Sequence, residues 1–211
     1  MSLFDFKWWH RPDAEREKRE IPLFPLSAVL FPGGRLGLKV FEQRYLDMTA
    51  ACMKAQTPFG ICLIAEGQEV GATAEPHSIG TLAEIVSWDM EQLGILMLSV
   101  RGGARFRILE RHSEASGLLR ARVELLPTAP PQPVPDALQP LLPLLQRIVA
   151  DLGPEKVPEP HAFDDMGWVG YRLSEVMPVQ NLAKQKLLEL DDDLSRLEIL
   201  DRFLRQRGVL K

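Results

Sequence analysis

Apolar and polar residues alternate in several short segments of the first half of the chain, a pattern typical of β-strands with one buried face. The clearest segment is 35–40, where Leu36, Leu38 and Val40 share one face. Four further segments alternate in the same way or are continuously apolar: 59–65, 94–100, 105–109 and 119–125. Several strands at such short spacing predict a compact barrel rather than a parallel sheet.

A helical pattern interrupts these strands once. Phe41, Tyr45, Met48 and Cys52 follow one another at intervals of three or four residues, which places them on one face of a helix. We expect this helix to run from about residue 42 to residue 54 and to cover an open end of the barrel. The paired glycines at 33–34 and 102–103 are interpreted as tight turns between strands.

Residues 127–135 contain five prolines and form the clearest boundary in the sequence. Proline fixes φ and offers no amide proton, so this stretch predicts a stiff, extended linker. The expected organisation is an N-terminal extension at 1–20, a β-barrel subdomain with one helix at 21–126, the linker at 127–135 and a helical subdomain at 136–211.

The period becomes helical beyond the linker. The first stripe runs through Leu141, Leu144 or Leu145, Ile148 and Leu152. Three more helices are predicted at about 165–177, 181–190 and 194–207. The last of them is expected to bury Leu194, Leu197, Leu200 or Ile199, and Leu204. We interpret the aspartates at 164–165 and 191–193 as helix N-caps rather than as acid pairs or cation ligands.

Charge and composition narrow the function classes. The chain has 211 residues, of which 45% are hydrophobic and 26% charged, with a formal charge of −4. A nucleic-acid-binding surface needs an excess of basic residues, and no part of the chain carries one. The N-terminus has no uninterrupted apolar core of the kind that a secretory signal requires, so we expect a cytoplasmic protein.

No local motif indicates catalysis or cofactor binding. The sequence contains neither the Gly-x-Ser-x-Gly pattern of a hydrolase nucleophile nor the phosphate-binding Gly-x-x-x-x-Gly-Lys-Ser/Thr loop. The four histidines are scattered, and two cysteines ten residues apart match no zinc pattern. We therefore predict no catalytic residues, no metal ligands and no cofactor.

An ordered series of short motifs resembles the N-terminal, substrate-binding domain of Lon proteases. The series begins with Ile21-Pro-Leu-Phe-Pro-Leu26 and Leu30-Phe-Pro-Gly33. It continues with Leu36-Gly-Leu38 and Phe41-Glu-Gln-Arg-Tyr45. The resemblance extends over about residues 21–207, and its main departure is Gly37, where that family usually has proline.

The resemblance implies an α+β fold, mainly β and then α: a six-stranded PUA-like pseudobarrel followed by a bundle of about four helices. It also implies a stand-alone member without the ATPase and protease domains, acting as a non-catalytic polypeptide- or protein-binding module that is able to self-associate. Two alternatives stay open at this point. A PUA-like barrel suggests a nucleic-acid-binding domain, although the acidic balance argues against it, and an unrecognised hydrolase would need residues that meet only in space.

Five residues are candidates for partner binding. Glu42, Arg44 and Tyr45 belong to the matching motif, and they are candidates for a wall of a groove between barrel and bundle. Their structural alternative, which we favour, is that Arg44 pairs with Glu42 or caps a turn of the barrel. Trp8 and Trp9 precede the matching region, and they either pack on the barrel or present an aromatic anchor to a partner.

Overall fold

The secondary structure follows the two predicted regions in chain order. The structure is a computed structural model that describes residues 17–71 and 74–210. The strands are β1 Lys18–Leu26, β2 Arg35–Val40, β3 Phe59–Glu66, β4 Glu75–Pro76, β5 Ile79–Gln92, β6 Ile95–Ser113 and β7 Leu119–Leu125. The α-helices are α1 Gln43–Ala55, α2 Leu141–Leu152, α3 Met166–Val176, α4 Asn181–Glu189 and α5 Asp193–Gln206, with a short 3-10 helix at Asp136–Leu138.

Five of the strands close into a ring in the order β1, β7, β6, β5, β3. The ring closes because β3 lies parallel to β1, with Leu23 opposite Gly60 and Leu26 opposite Leu63, while the other neighbours are antiparallel. β2 pairs with the first part of β6, and the two-residue β4 pairs with the end of β3. The predicted class and the PUA-like architecture are confirmed, with seven strands in the described residues instead of six.

One long strand replaces two predicted ones. Residues 95–100 and 105–109 both lie in β6, so the interpretation of Gly102 and Gly103 as a turn between strands is wrong. Gly102 exchanges backbone hydrogen bonds with the turn at Gly33 and Gly34, over 2.7 and 2.9 Å. A Cβ atom at Gly102 would lie 2.1 Å from the carbonyl oxygen of Phe31. The glycine therefore allows a close approach between two chain segments within a continuous strand.

Helix α1 covers the barrel with one face, as predicted. Tyr45, Met48 and Cys52 are buried in the barrel core, together with Thr49. Phe41 was expected on the same face, but it precedes the helix and its side chain is 48% exposed. The helical period does not apply to Phe41 because the backbone is still extended at Glu42, the N-cap residue.

The proline-rich stretch is irregular and packs against the helices. Val134 is buried within the helical core, and Pro133 forms an isolated β-bridge with Asp165. Proline has no N–H, which accounts for the absence of longer strand pairing in this stretch. The division into subdomains at 127–135 stays a prediction.

Helices α3, α4 and α5 begin and end within two residues of their predicted bounds, and α2 spans the predicted stripe. The buried residues of these helices differ from the predicted rows in two places. Val149 joins Leu141 and Leu145 in the core, since spacings of four keep these residues in one row, whereas Leu152 is 42% exposed at the end of α2. Leu194 is 37% exposed because it lies in the first turn of α5, ahead of the buried row at 197, 200 and 204.

Aspartate caps begin two of these helices. The Asp165 carboxylate accepts hydrogen bonds from the backbone N–H groups of Gly167 and Trp168 at the start of α3. The Asp192 carboxylate accepts one from the N–H of Ser195, over 2.8 Å, at the start of α5. The predicted capping role of both aspartate runs is therefore confirmed, and it satisfies N–H groups that have no partner within the helix.

Barrel and bundle are joined by buried polar side chains. Arg105 on β6 is 5% exposed, and its Nη1 donates to the carbonyl oxygens of Leu188 and Leu190, each over 2.8 Å. The Arg172 side chain donates to the Pro32 carbonyl oxygen over 2.7 Å. These contacts hold the two halves in one fixed arrangement, because a buried guanidinium keeps its hydrogen bonds only in that geometry.

Candidate functional site

Arg44 ties helix α1 to the turn that precedes β7. Its Nη2 donates to Glu42 Oε2 over 2.9 Å, and its Nη1 donates to the Gly117 carbonyl oxygen over 3.1 Å. The structural role favoured from the sequence, in which Arg44 pairs with Glu42 or caps a turn of the barrel, agrees with both contacts. A role of Glu42 and Arg44 in partner binding stays a prediction.

Tyr45 lies within the barrel core. Its ring stacks on that of Phe24 with centroids 4.0 Å apart. The Arg44 guanidinium lies 4.7 Å from the centre of the Tyr45 ring. Burial raises the pKa of the Tyr45 hydroxyl, although Arg44 opposes that shift. The packing makes Tyr45 part of the framework that holds α1 on the sheet.

The cleft beside Arg44 has a volume of about 580 Å³ and is lined by α1, β1 and β7 together with adjoining loops. None of its lining residues belongs to the helical bundle. The expectation that Arg44 borders a groove between barrel and bundle is therefore wrong about the position, because α1 lies across the barrel itself. Trp8 and Trp9 lie outside the described residues.

An exposed apolar surface lies on the hairpin of β5 and β6, which the sequence did not reveal. Trp88 is 56% exposed and Leu93, in the hairpin turn, is 99% exposed. Val86, Met90 and Met97 are also exposed on the same hairpin. The alternation of Val86, Trp88 and Met90 was an available signal for this strand, but alternation alone does not show that the apolar face stays uncovered.

A groove separates this hairpin from α1. It consists of two cavities of about 450 and 470 Å³ that share Met53 and Trp88 in their linings. One cavity reaches the loop 56–58 that follows α1, and the other reaches Leu46 and Ala50 on α1. We call the whole feature the hairpin groove. Its walls are partly apolar, and Met53 and Trp88 offer surface that is favourable to remove from water.

Comparison with known families decides the relationship. The model of the ATP-dependent protease La (LON) substrate-binding domain matches residues 20–206. The chain belongs to this family.

Curated relatives contain the domain as part of longer proteins. Lon protease 2 of Myxococcus xanthus is 30% identical over 204 residues, which cover 90% of this chain and 24% of that protein. Protein cereblon of Xenopus tropicalis is 30% identical over 113 residues, 52% of this chain and 24% of that protein. The chain thus spans about a quarter of the length of these relatives.

Solved structures show the same fold. The Lon N-terminal domain protein from Xanthomonas campestris superposes with a TM-score of 0.73 at 33% identity, covering 86% of this chain and 96% of that one. The N-terminal domain of the Mycobacterium avium complex Lon protease has a TM-score of 0.62 at 21% identity, with the same coverages of 86% and 96%. The second likeness concerns the fold alone.

The side chains of this LON substrate-binding domain show little reactive chemistry. Burial raises the pKa of both the Cys52 and the Cys62 thiols, which disfavours the nucleophilic thiolate. Among residues 17–71 and 74–210, no group of three or more His, Cys, Asp or Glu side chains is arranged to hold a metal ion. The family is the substrate-binding part of Lon and not its protease part.

Most of the arginines on the outside of the barrel are neutralised locally. Five of them contact carboxylates, in the pairs Arg19–Glu17, Arg101–Glu84, Arg111–Glu75, Arg120–Glu20 and Arg122–Glu110. Such pairing lowers the positive potential that phosphates would meet. The helices of the described segments include none that is both long and apolar enough to cross a membrane. A cytoplasmic location stays a prediction.

Proposed function

We propose that this chain is a non-catalytic module that binds unfolded or extended polypeptide segments at the hairpin groove. The observation that carries the proposal is the apolar surface around Trp88, exposed on a strand that a closed barrel holds in place. Membership of a family defined as the substrate-binding domain of Lon supports the same function.

The physical basis is the burial of apolar surface on both partners. Removing apolar surface from water contributes about 25 cal/mol per Å², against which the ordering of the bound segment counts. Tryptophan is enriched among the residues that dominate binding energy, since its large ring loses little rotamer freedom. Unfolded chains expose apolar side chains that folded proteins bury, so they are the ligands that this surface fits best.

Two observations favour this function over the alternatives. The raised pKa of both thiols supports a module without a reactive cysteine nucleophile. The pairing of exposed arginines with carboxylates supports a polypeptide ligand over a nucleic acid. Self-association, and contacts of Glu42, Arg44, Tyr45, Trp8 and Trp9 with a partner, remain further proposals.

Fluorescence anisotropy tests the function directly. The probe is a labelled protein kept unfolded by reduction and carboxymethylation, titrated with the whole chain at physiological salt. We expect saturable binding, which an excess of unlabelled unfolded protein displaces and an excess of the same protein in its folded state does not. Absence of saturable binding, or equal competition by the folded protein, would contradict the proposal.

A further inference from the structure

Strand β5 has a free edge over its second part. β3 pairs with β5 only from Thr81 to Ala83, and β6 occupies the opposite edge. Within the described segments, no strand lies along the outer edge of residues 84–92. Free strand edges present unpaired N–H and C=O groups at regular intervals, so another strand is the partner that satisfies them.

The hairpin groove lies where a continuation of β3 would run. β3 begins at Phe59, and the preceding residues 56–58 turn away towards α1. These three residues and Glu84, Ile85 and Val86 line the same cavity of about 450 Å³. The space beside β5 is therefore open in line with the strand that already pairs with it.

Side chains beside this edge recur at the spacing of a strand. Trp88 lies opposite Leu98, whose side chain points into the barrel, so Trp88 and Met90 face α1. Met53 on α1 closes the other side of the groove. An added strand would direct every second side chain between these walls, and apolar residues would fit there.

Charge further restricts the occupant. The residues that line the groove include two acids, Asp47 and Glu84, and no lysine or arginine. Glu84 pairs with Arg101, whereas Asp47 accepts only a hydrogen bond from Gln43 and forms no ion pair with any described residue. A segment with a basic residue beside its apolar positions complements this surface.

We propose that the hairpin groove binds an extended segment of another polypeptide as an added strand on β5, in line with β3. The segment carries apolar side chains at alternate positions and a lysine or arginine near the Asp47 end. This inference rests on the proposed function and specifies its binding mode.

Backbone-methylated peptides test the mode. The parent peptide has about nine residues, enough to lie along residues 84–92, with alternating valine and threonine and a lysine at each end. Two isomers carry N-methyl groups on all valines or on all threonines, so each removes the donors from one edge of the peptide. An added strand bonds through one edge only, because the other edge faces solvent.

We expect one isomer to bind like the parent and the other to bind about tenfold or more weakly, as the loss of two or three backbone hydrogen bonds requires. Slipping by one residue would not rescue the weak isomer, since it would turn the valines out of the groove. A peptide methylated on both its valines and its threonines has no donor on either edge, whichever way it runs, and binding as tight as the parent's would overturn strand addition. If unfolded protein still binds in that case, the proposed function stands; if neither ligand binds, both proposals fail.

Two variants identify the site and exclude a competing occupant. Asp47→Lys is expected to lower the affinity for the lysine-ended peptide and to raise the affinity for an otherwise identical peptide with glutamate ends. No change in either affinity would contradict the assigned groove. The double variant Trp8→Ala, Trp9→Ala is not expected to raise the affinity. A roughly tenfold gain would mean that the chain's own N-terminal residues fill the groove, and the proposal would then be wrong.

Discussion

Side chains at one end of the barrel sheet are buried, and those at the other end are exposed. Where β6 meets the bundle, the buried Arg105 guanidinium donates to Leu188, Leu190 and Asp191, and apolar residues of both halves share one core. At the hairpin of β5 and β6, Trp88 and its neighbours are exposed, and no strand of the described residues pairs with the outer edge of 84–92.

This difference separates stability from binding within one pair of neighbouring strands, β5 and β6. Buried hydrogen-bonded charges are costly to disturb, so the contact with the bundle determines how stably the two halves stay together. Exposed apolar residues contribute little to the folded state and remain available to a partner. Substitutions at the two ends should therefore change different measurements.

Arg105→Met has the largest expected effect, a loss of roughly 3 kcal/mol in the free energy of unfolding, because two buried carbonyl groups and a carboxylate lose their donor. Urea unfolding monitored by circular dichroism measures it. Arg101→Met on the same strand is the matched control; that arginine is exposed and paired only with Glu84, so its change should stay within about 0.5 kcal/mol. Equal losses in the free energy of unfolding for both variants would contradict the difference between the two ends of the sheet.

Trp88→Ala should reduce the affinity for unfolded protein by roughly 2 kcal/mol, about thirtyfold, with stability changed by less than about 0.5 kcal/mol. The titration described above gives the first value and urea unfolding the second. Leu182→Ala, which also removes an exposed apolar side chain but lies on α4, should bind normally. A lower affinity of Leu182→Ala together with an unchanged affinity of Trp88→Ala would indicate that the binding surface lies on the bundle.

Arg44→Met should destabilise the fold by about 1–2 kcal/mol, since the hydrogen bonds to Glu42 and Gly117 are lost from a nearly buried side chain. Affinity for unfolded protein should not change under conditions where the variant is fully folded. A fall in affinity with unchanged stability would instead support the direct partner-binding role predicted for this residue.

Asp192→Ala should cost about 1 kcal/mol at neutral pH, because α5 loses its N-cap. Hydrogen bonds from Ser195 hold the pKa of the Asp192 carboxyl below its usual range, so its contribution is present above the unfolded-state pKa and declines as pH falls through the folded-state pKa. The difference from wild type should therefore shrink in acid. Asp192→Asn keeps an acceptor without a titrating group, and it should lose little stability at either pH.

Local patterns predicted the elements that depend on neighbouring residues. The alternation at 35–40 and the helical period at 181–190 each gave an element within one residue of its bounds. Phe41 shows the limit of such reasoning, because its spacing matched the helix while the backbone at Glu42 had not yet entered it.

The features that matter for function depend on distant contacts. Closure of the ring requires the parallel pairing of Leu23 with Gly60, which no local signal indicates. Gly102 looked like a turn because its role, the close approach of Phe31, involves a residue far along the chain. Trp88 gave no sign of exposure, since an alternating strand looks the same whether or not a neighbour covers its apolar face.

Hydrogen–deuterium exchange with saturating unfolded protein tests the central claim most directly. The account predicts slower exchange of the amides in 84–98, with smaller changes in α1 and no change in α2–α5. Protection confined to the bundle, or uniform along the chain, would contradict binding at the hairpin groove.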